Sequence, residues 1–125
     1  MGKIIAFPSS KKTMDDKTLL LKAARAAGYV LNAKGQAARE AEMPTEPALW
    51  LTHATWWNPL TDNGYALELA VKLKMNIWQM LIEGCVIVKV FGDDNNVYTH
   101  DILWGADPLA ATRRAIVLVA ADMAQ

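Results

Sequence analysis

A charge of one sign is missing from this chain. Its 125 residues carry 13 Lys and Arg against 13 Asp and Glu, so the formal net charge is zero. So balanced a molecule has no long-range pull on nucleic acid or anionic lipid, and only a local patch would supply one. Lys11-Lys12 and Arg113-Arg114 are its adjacent cation pairs. Both read as solvated faces, so there is no strong nucleic-acid signal. A single cysteine, Cys85, excludes an intramolecular disulfide. It lies in an apolar run, where a buried small hydrophobe is expected, and a cytosolic setting fits. Long hydrophobic runs are also lacking. Residues 77–91 come nearest, but Gln79, Glu83-Gly84 and Lys89 interrupt them, so no membrane span is expected. The opening apolar stretch is too short for a signal peptide. There is no phosphate-cradling glycine loop, no Ser-centred elbow and no internal repeat.

What is present fits one soluble domain. Hydrophobic residues make up 53% of the chain and charged ones 21%, and the length suffices to bury about two thirds of the unfolded surface. Residues 1–12 read as an N-terminal arm, with Ile4-Ile5-Ala6-Phe7 as an edge strand or docked segment and a polar linker after it. Residues 13–125 read as the domain.

A helix is expected from Thr13, with Thr13 as cap and Asp15 and Asp16 on the positive end of its dipole. Leu20, Ala23, Ala24 and Ala27 form its narrow apolar face, and Gly28 ends it. Residues 29–31 and 48–53 read as strands. Residues 34–47 read as a long, mobile surface loop, with at most a turn of helix at 36–42. Residues 77–82 and 85–91 flank Glu83-Gly84 as a two-residue hairpin, and 92–96 turn the chain into a strand over 97–104. The first two strands of this meander are apolar on both faces, which implies layers on both sides of the sheet.

Two helix starts are written clearly. Pro59 keeps Asn58 out of helical angles, Thr61 or Asp62 caps the helix that follows, and Ala66, Leu69, Ala70 and Leu73 give its buried face. Asp107-Pro108 starts the last helix, with Pro108 at a position where its missing N–H costs nothing. Its main apolar face runs through Leu109, Thr112, Ile116, Val119, Ala120 and Met123. Val117 and Leu118 lie off that face, so the helix is either unusually buried or part of a partner or subunit contact.

Both stretches carry a resemblance. Trp57-Asn58-Pro59-Leu60-Thr61-Asp62-Asn63-Gly64 with the Ala66-Leu67-Glu68-Leu69-Ala70-Val71-Lys72-Leu73 helix, and Asp107-Pro108-Leu109-Ala110-Ala111-Thr112-Arg113-Arg114-Ala115, resemble the phage ABA sandwich domain family of small tailed-phage and prophage proteins. The resemblance covers roughly residues 14–124. It implies an α+β fold, a three-layer α-β-α sandwich, and the elements read above give it a mainly antiparallel sheet of about five strands and about three helices. It implies bacterial host cytoplasm as the setting and assigns no activity.

Candidate chemistry is sparse. His100 and Asp101 are neighbours in a strand and point to opposite faces, so they form no dyad. A shared site would need His53 and His100 on adjacent strands; two partly exposed sheet histidines is the stronger reading. Asp93-Asp94-Asn95-Asn96 lacks calcium-loop spacing and reads as a turn. No metal or cofactor is called for. Among five tryptophans, Trp50, Trp78 and Trp104 are expected in or near the core. Trp56, Trp57, Asn58 and Asp62 are the candidate binding residues, against the alternative that both tryptophans pack the helix start. The function expected is non-enzymatic, a phage or prophage accessory protein that binds a host or phage protein. The alternatives are a small-molecule pocket near Trp56, Trp57 and Asn58, and a structural homo-oligomer.

Overall fold

The last helix is the centre of the molecule. The computed structural model describes residues 15–45 and 47–124, so the expected arm of residues 1–12 and the Thr13 cap lie outside the described residues. In chain order the elements are α1 (Asp16–Ala26), α2 (Ala33–Glu42), α3 (Asn63–Lys72), β1 (Asn76–Met80), β2 (Cys85–Phe91), β3 (Val97–Leu103) and α4 (Pro108–Met123). The fold is α+β, with four helices and one three-stranded antiparallel sheet among the described residues, where about three helices and five strands were expected.

Helix α4 touches α1, α3, β2 and β3. It buries Ala111, Ala115, Ile116, Val117, Val119, Ala120 and Ala121. The alanines let four neighbours approach closely, and apolar residues off the main stripe are what a helix packed all round requires. Val117 is therefore fully buried and is no free surface, while Leu118 is half-buried against the core. Each buried Val or Leu here contributes roughly 1.5–3 kcal/mol.

Helix starts follow their chemistry. Asp15, not Thr13, caps α1 by accepting from Thr18 N–H at 2.8 Å. Asp62 and Asp107 cap α3 and α4. Gly28, at φ +79°, ends α1 with paired bonds, Gly28 N–H to the Arg25 carbonyl at 3.0 Å and Tyr29 N–H to that of Ala24 at 2.9 Å. α3 ends the same way at Lys74, which holds φ +58° without being glycine.

The expected mobile loop is an ordered helix over much of its length. Asn32 caps α2, accepting from Gly35 N–H at 3.0 Å. Its contacts explain the missing hydrophobic period. Gly35 lies against the Trp50 ring, where a Cβ would come within 2.5 Å. Gln36 is buried and accepts from Trp50 N–H at 2.7 Å, and Lys17 pairs with Glu40. The expected strands at 29–31 and 48–53 are reduced to isolated bridges, Leu31 with Leu51 and Leu49 with Trp57.

In the sheet, β1 pairs with β2 and β2 with β3. The strand after α3 stops at Met80, not at 82. Met80 pairs with Cys85 across a four-residue loop, and among its residues only Gly84 takes a positive φ, +69°. A two-residue Glu83-Gly84 turn would put a left-handed or mirror-image φ on Glu83, which has a Cβ to clash.

Candidate binding surface

Sheet alternation sorts the side chains into two faces. Val86, Val88 and Val90 point at α4 and are buried, with Tyr98, His100 and Ile102 beside them on β3. The edge strand is tied to that side by a relay. Trp104 Nε1–H donates to Gln79 Oε1 at 2.8 Å, Gln79 Nε2–H to Thr112 Oγ1 at 2.9 Å, and the Thr112 hydroxyl to the Pro108 carbonyl at 2.8 Å.

Among the described residues the opposite face is open. Register sets Met80, Cys85 and Leu103 in one row across the strands and Trp78, Ile87 and Asp101 in the next. Asn76, Lys89 and Thr99 form the third row, and Phe91 and Val97 the fourth. Trp78 is 43% exposed, Phe91 65%, Val97 52% and Leu103 74%, while Leu81 and Ile82 stand out at the hairpin tip. Lys89 Nζ lies 5.9 Å from the ring centres of both Trp78 and Phe91. Two expectations change here. Cys85 is half-buried on this open side rather than in the core, and Trp78 is a surface residue. The apolar double-sided pattern of β1 and β2 marks a bare face, with helices covering one side of the sheet among the described residues.

The Trp56–Asp62 stretch is accounted for mainly by structure. Trp57 exchanges backbone hydrogen bonds with Leu49 at 2.8 and 3.0 Å, which turns its ring fully into the core, edge-on to Tyr29 at 5.7 Å between centres. Its indole N–H meets no acceptor among the described residues. Asn58 is buried: Oδ1 accepts from Leu60 N–H at 3.0 Å, and its carbonyl accepts from the N–H groups of Thr61 and Asp62 at 3.1 and 3.0 Å. Asp62 uses Oδ1 on Tyr65 N–H at 2.9 Å. Trp56 is half-buried with the Arg39 guanidinium 4.9 Å from its ring and 5.2 Å from that of Trp50. The bland alternative, tryptophans packing a helix start, describes Trp57 well. Nor are Arg113 and Arg114 solvated faces alone. Arg113 binds Leu60 and Asn63, and Arg114 meets Asp16 at 2.9 Å.

A shallow groove of about 620 Å³ lies one ring further out, where His53 meets Tyr29 at a tilt of 55° with ring centres 4.5 Å apart and Leu67 and Val71 of α3 form an apolar wall. Burial first, then the Glu68 carboxylate, pushes the Tyr29 hydroxyl pKa up. His100 does not share this groove: its Nε2 is 2.7 Å from Asp122 Oδ2. Asp101 points to the open face, as strand alternation predicts. In the 92–96 turn, Asp94 accepts from the Tyr98 hydroxyl at 2.8 Å and from Asn96 N–H at 3.1 Å, so its oxygens close the turn. Among the described residues no group of three or more His, Cys, Asp or Glu is placed to hold a metal ion.

No protein-family model matches the chain, and no curated protein or solved structure matches it.

Proposed function

We propose that this chain is a non-enzymatic phage or prophage accessory protein that acts in the host cytoplasm by binding another protein through the open face of its sheet. One observation supports the reading above others: among the described residues one sheet face bears exposed Trp78 and Leu103 towards one end and Phe91 and Val97 at the other, around the Asn76–Lys89–Thr99 row, with Leu81 and Ile82 at the hairpin tip. Monomeric proteins rarely leave contiguous apolar patches beyond a few hundred Å² in water. Large aromatic and aliphatic side chains around few charges also make the centre of a typical interface. On this reading the uncovered side of the sheet is completed by the partner. The resemblance of the two helix starts to the phage ABA sandwich domain family supports the biological setting.

A photoreactive amino acid at Phe91, with one at the exposed Ala41 of α2 as control, tests the reading in a bacterial host. The expected result is a discrete cross-linked protein from position 91 that is absent from position 41 and lost when Trp78→Lys is added. Equal, diffuse labelling from both positions would refute it.

A second reading rests on the groove beside Tyr29 and His53: a small-molecule site displaced from the expected Trp56, Trp57 and Asn58 pocket. Ligand-dependent shifts of the His53 ring signals, abolished by Tyr29→Ala, are its expected signature.

A further inference from the structure

We infer that the partner on the open face is a second copy of this chain, in a twofold stack of sheet on sheet that sets Lys89 of one copy beside Asp101 of the other. The inference rests on the protein-binding reading and names its partner. Among the described residues, the face carries two charges, Lys89 on the central strand and Asp101 on β3. They cancel, as a self-complementary surface requires. Their positions also select the symmetry axis. A twofold along the central strand would stack Lys89 on Lys89. A twofold across the strands, between the Ile87 and Lys89 rows, keeps each strand over its counterpart and reverses its direction. It exchanges the Trp78–Ile87–Asp101 row with the Asn76–Lys89–Thr99 row. Lys89 then lies over Ile87 and next to Asp101 of the other copy, twice by symmetry. The end rows exchange too, which brings Leu103 over Val97 and Cys85 over Phe91, so apolar meets apolar. Aligned sheets stack about 10 Å apart with strands within about 30° of each other, a gap that a lysine side chain bridges. Such an isologous contact closes after two copies.

The area suffices. Covering the four rows, in which Trp78, Phe91, Val97 and Leu103 are each between 43% and 74% exposed and Asn76, Thr99 and Asp101 are exposed as well, removes on the order of 600 Å² per copy, the lower end of a standard interface. The formal net charge of zero puts no long-range repulsion between copies.

Sedimentation equilibrium on the full chain tests the inference, with circular dichroism to confirm that each variant folds. The expected result is a mass of two chains with micromolar dissociation. K89E and D101K should each weaken association tenfold or more, and the double variant K89E/D101K should recover it. Cys85, in the end row, should react with a maleimide more slowly as concentration rises. A single-chain mass at millimolar concentration, or a dimer indifferent to all three variants, would overturn it. Cys85 protected equally at every concentration would also overturn it, by placing a segment of the same chain on the face. A monomer whose position 91 cross-links a different protein would end this inference and leave the proposed function standing.

Discussion

Arg113 joins the two stretches on which the family resemblance rests. From the middle of α4 its Nε–H donates to the Leu60 carbonyl at 2.7 Å, and one terminal nitrogen donates to Asn63 Oδ1 at 2.7 Å. One side chain thus fixes the approach to α3 against the helix at the centre of the fold. Two motifs about 50 positions apart are one brace in space.

Arg113→Ala should destabilise the fold by about 2 kcal/mol, since it removes charge-assisted hydrogen bonds from a part-buried carbonyl and a cap-region side chain. Arg113→Lys should restore less than half, because an ammonium lacks the fork that reaches both acceptors. Urea unfolding monitored by far-ultraviolet circular dichroism reads both. Equal stability of the wild type and the alanine variant would show that the brace carries no energy.

Lys74→Gly should stabilise by about 0.5–1 kcal/mol. Lys74 sits at φ +58° in the position that glycine occupies after α1, and the relief of left-handed strain exceeds the unfolded-state entropy that glycine adds. Thermal unfolding checks it, with a rise in Tm expected and a fall counting against the account.

Trp57 and Trp78 should respond oppositely. Trp57→Ala opens a cavity in the core and should cost about 3–5 kcal/mol. Trp78→Ser should change monomer stability by less than about 0.5 kcal/mol and abolish partner capture. Acrylamide should quench Trp78 and spare Trp57, so the wild type should lose more emission to the quencher than Trp78→Ser does.

Asp94 should titrate below the ordinary carboxylate range. The Tyr98 hydroxyl donates to it most strongly, with Asn96 N–H and side chain adding to the effect. A folded pKa lowered in this way adds stability above the unfolded value, and that stability is lost as pH falls through the folded value. NMR titration of the side-chain carboxyl should show the pKa rise towards the ordinary range in Tyr98→Phe. In the same contact, the Tyr98 hydroxyl is held above its usual value by Asp94.

Legibility in the sequence followed the locality of the physics. Caps at Asp62 and Asp107, the stop at Gly28 and the β-meander were readable, because each depends on residues within a few positions. α2 was not, since its buried face is Gly35 and Gln36, which become core residues only when Trp50 arrives from elsewhere in the chain. The hidden state of Val117 needed four neighbours at once. The open sheet face leaves a trace in the sequence. Lys89, Thr99 and Asp101 are polar positions on one side of β2 and β3, whereas Val86, Val88 and Val90 hold the other side. Apolar content alone marks a face as buried in something, and does not say whether that something belongs to the same chain.

Order of synthesis gives the central helix a further consequence. Translation at roughly 5–20 residues per second delivers the 16 residues of α4 over about one to three seconds. Until α4 is present, α1, α3 and the sheet lack the element that they all touch, and Val86, Val88 and Val90 have no helix to cover them. A nascent chain halted before Pro108 presents a sheet that is apolar on both sides, a substrate for chaperones and proteases rather than a smaller version of the protein.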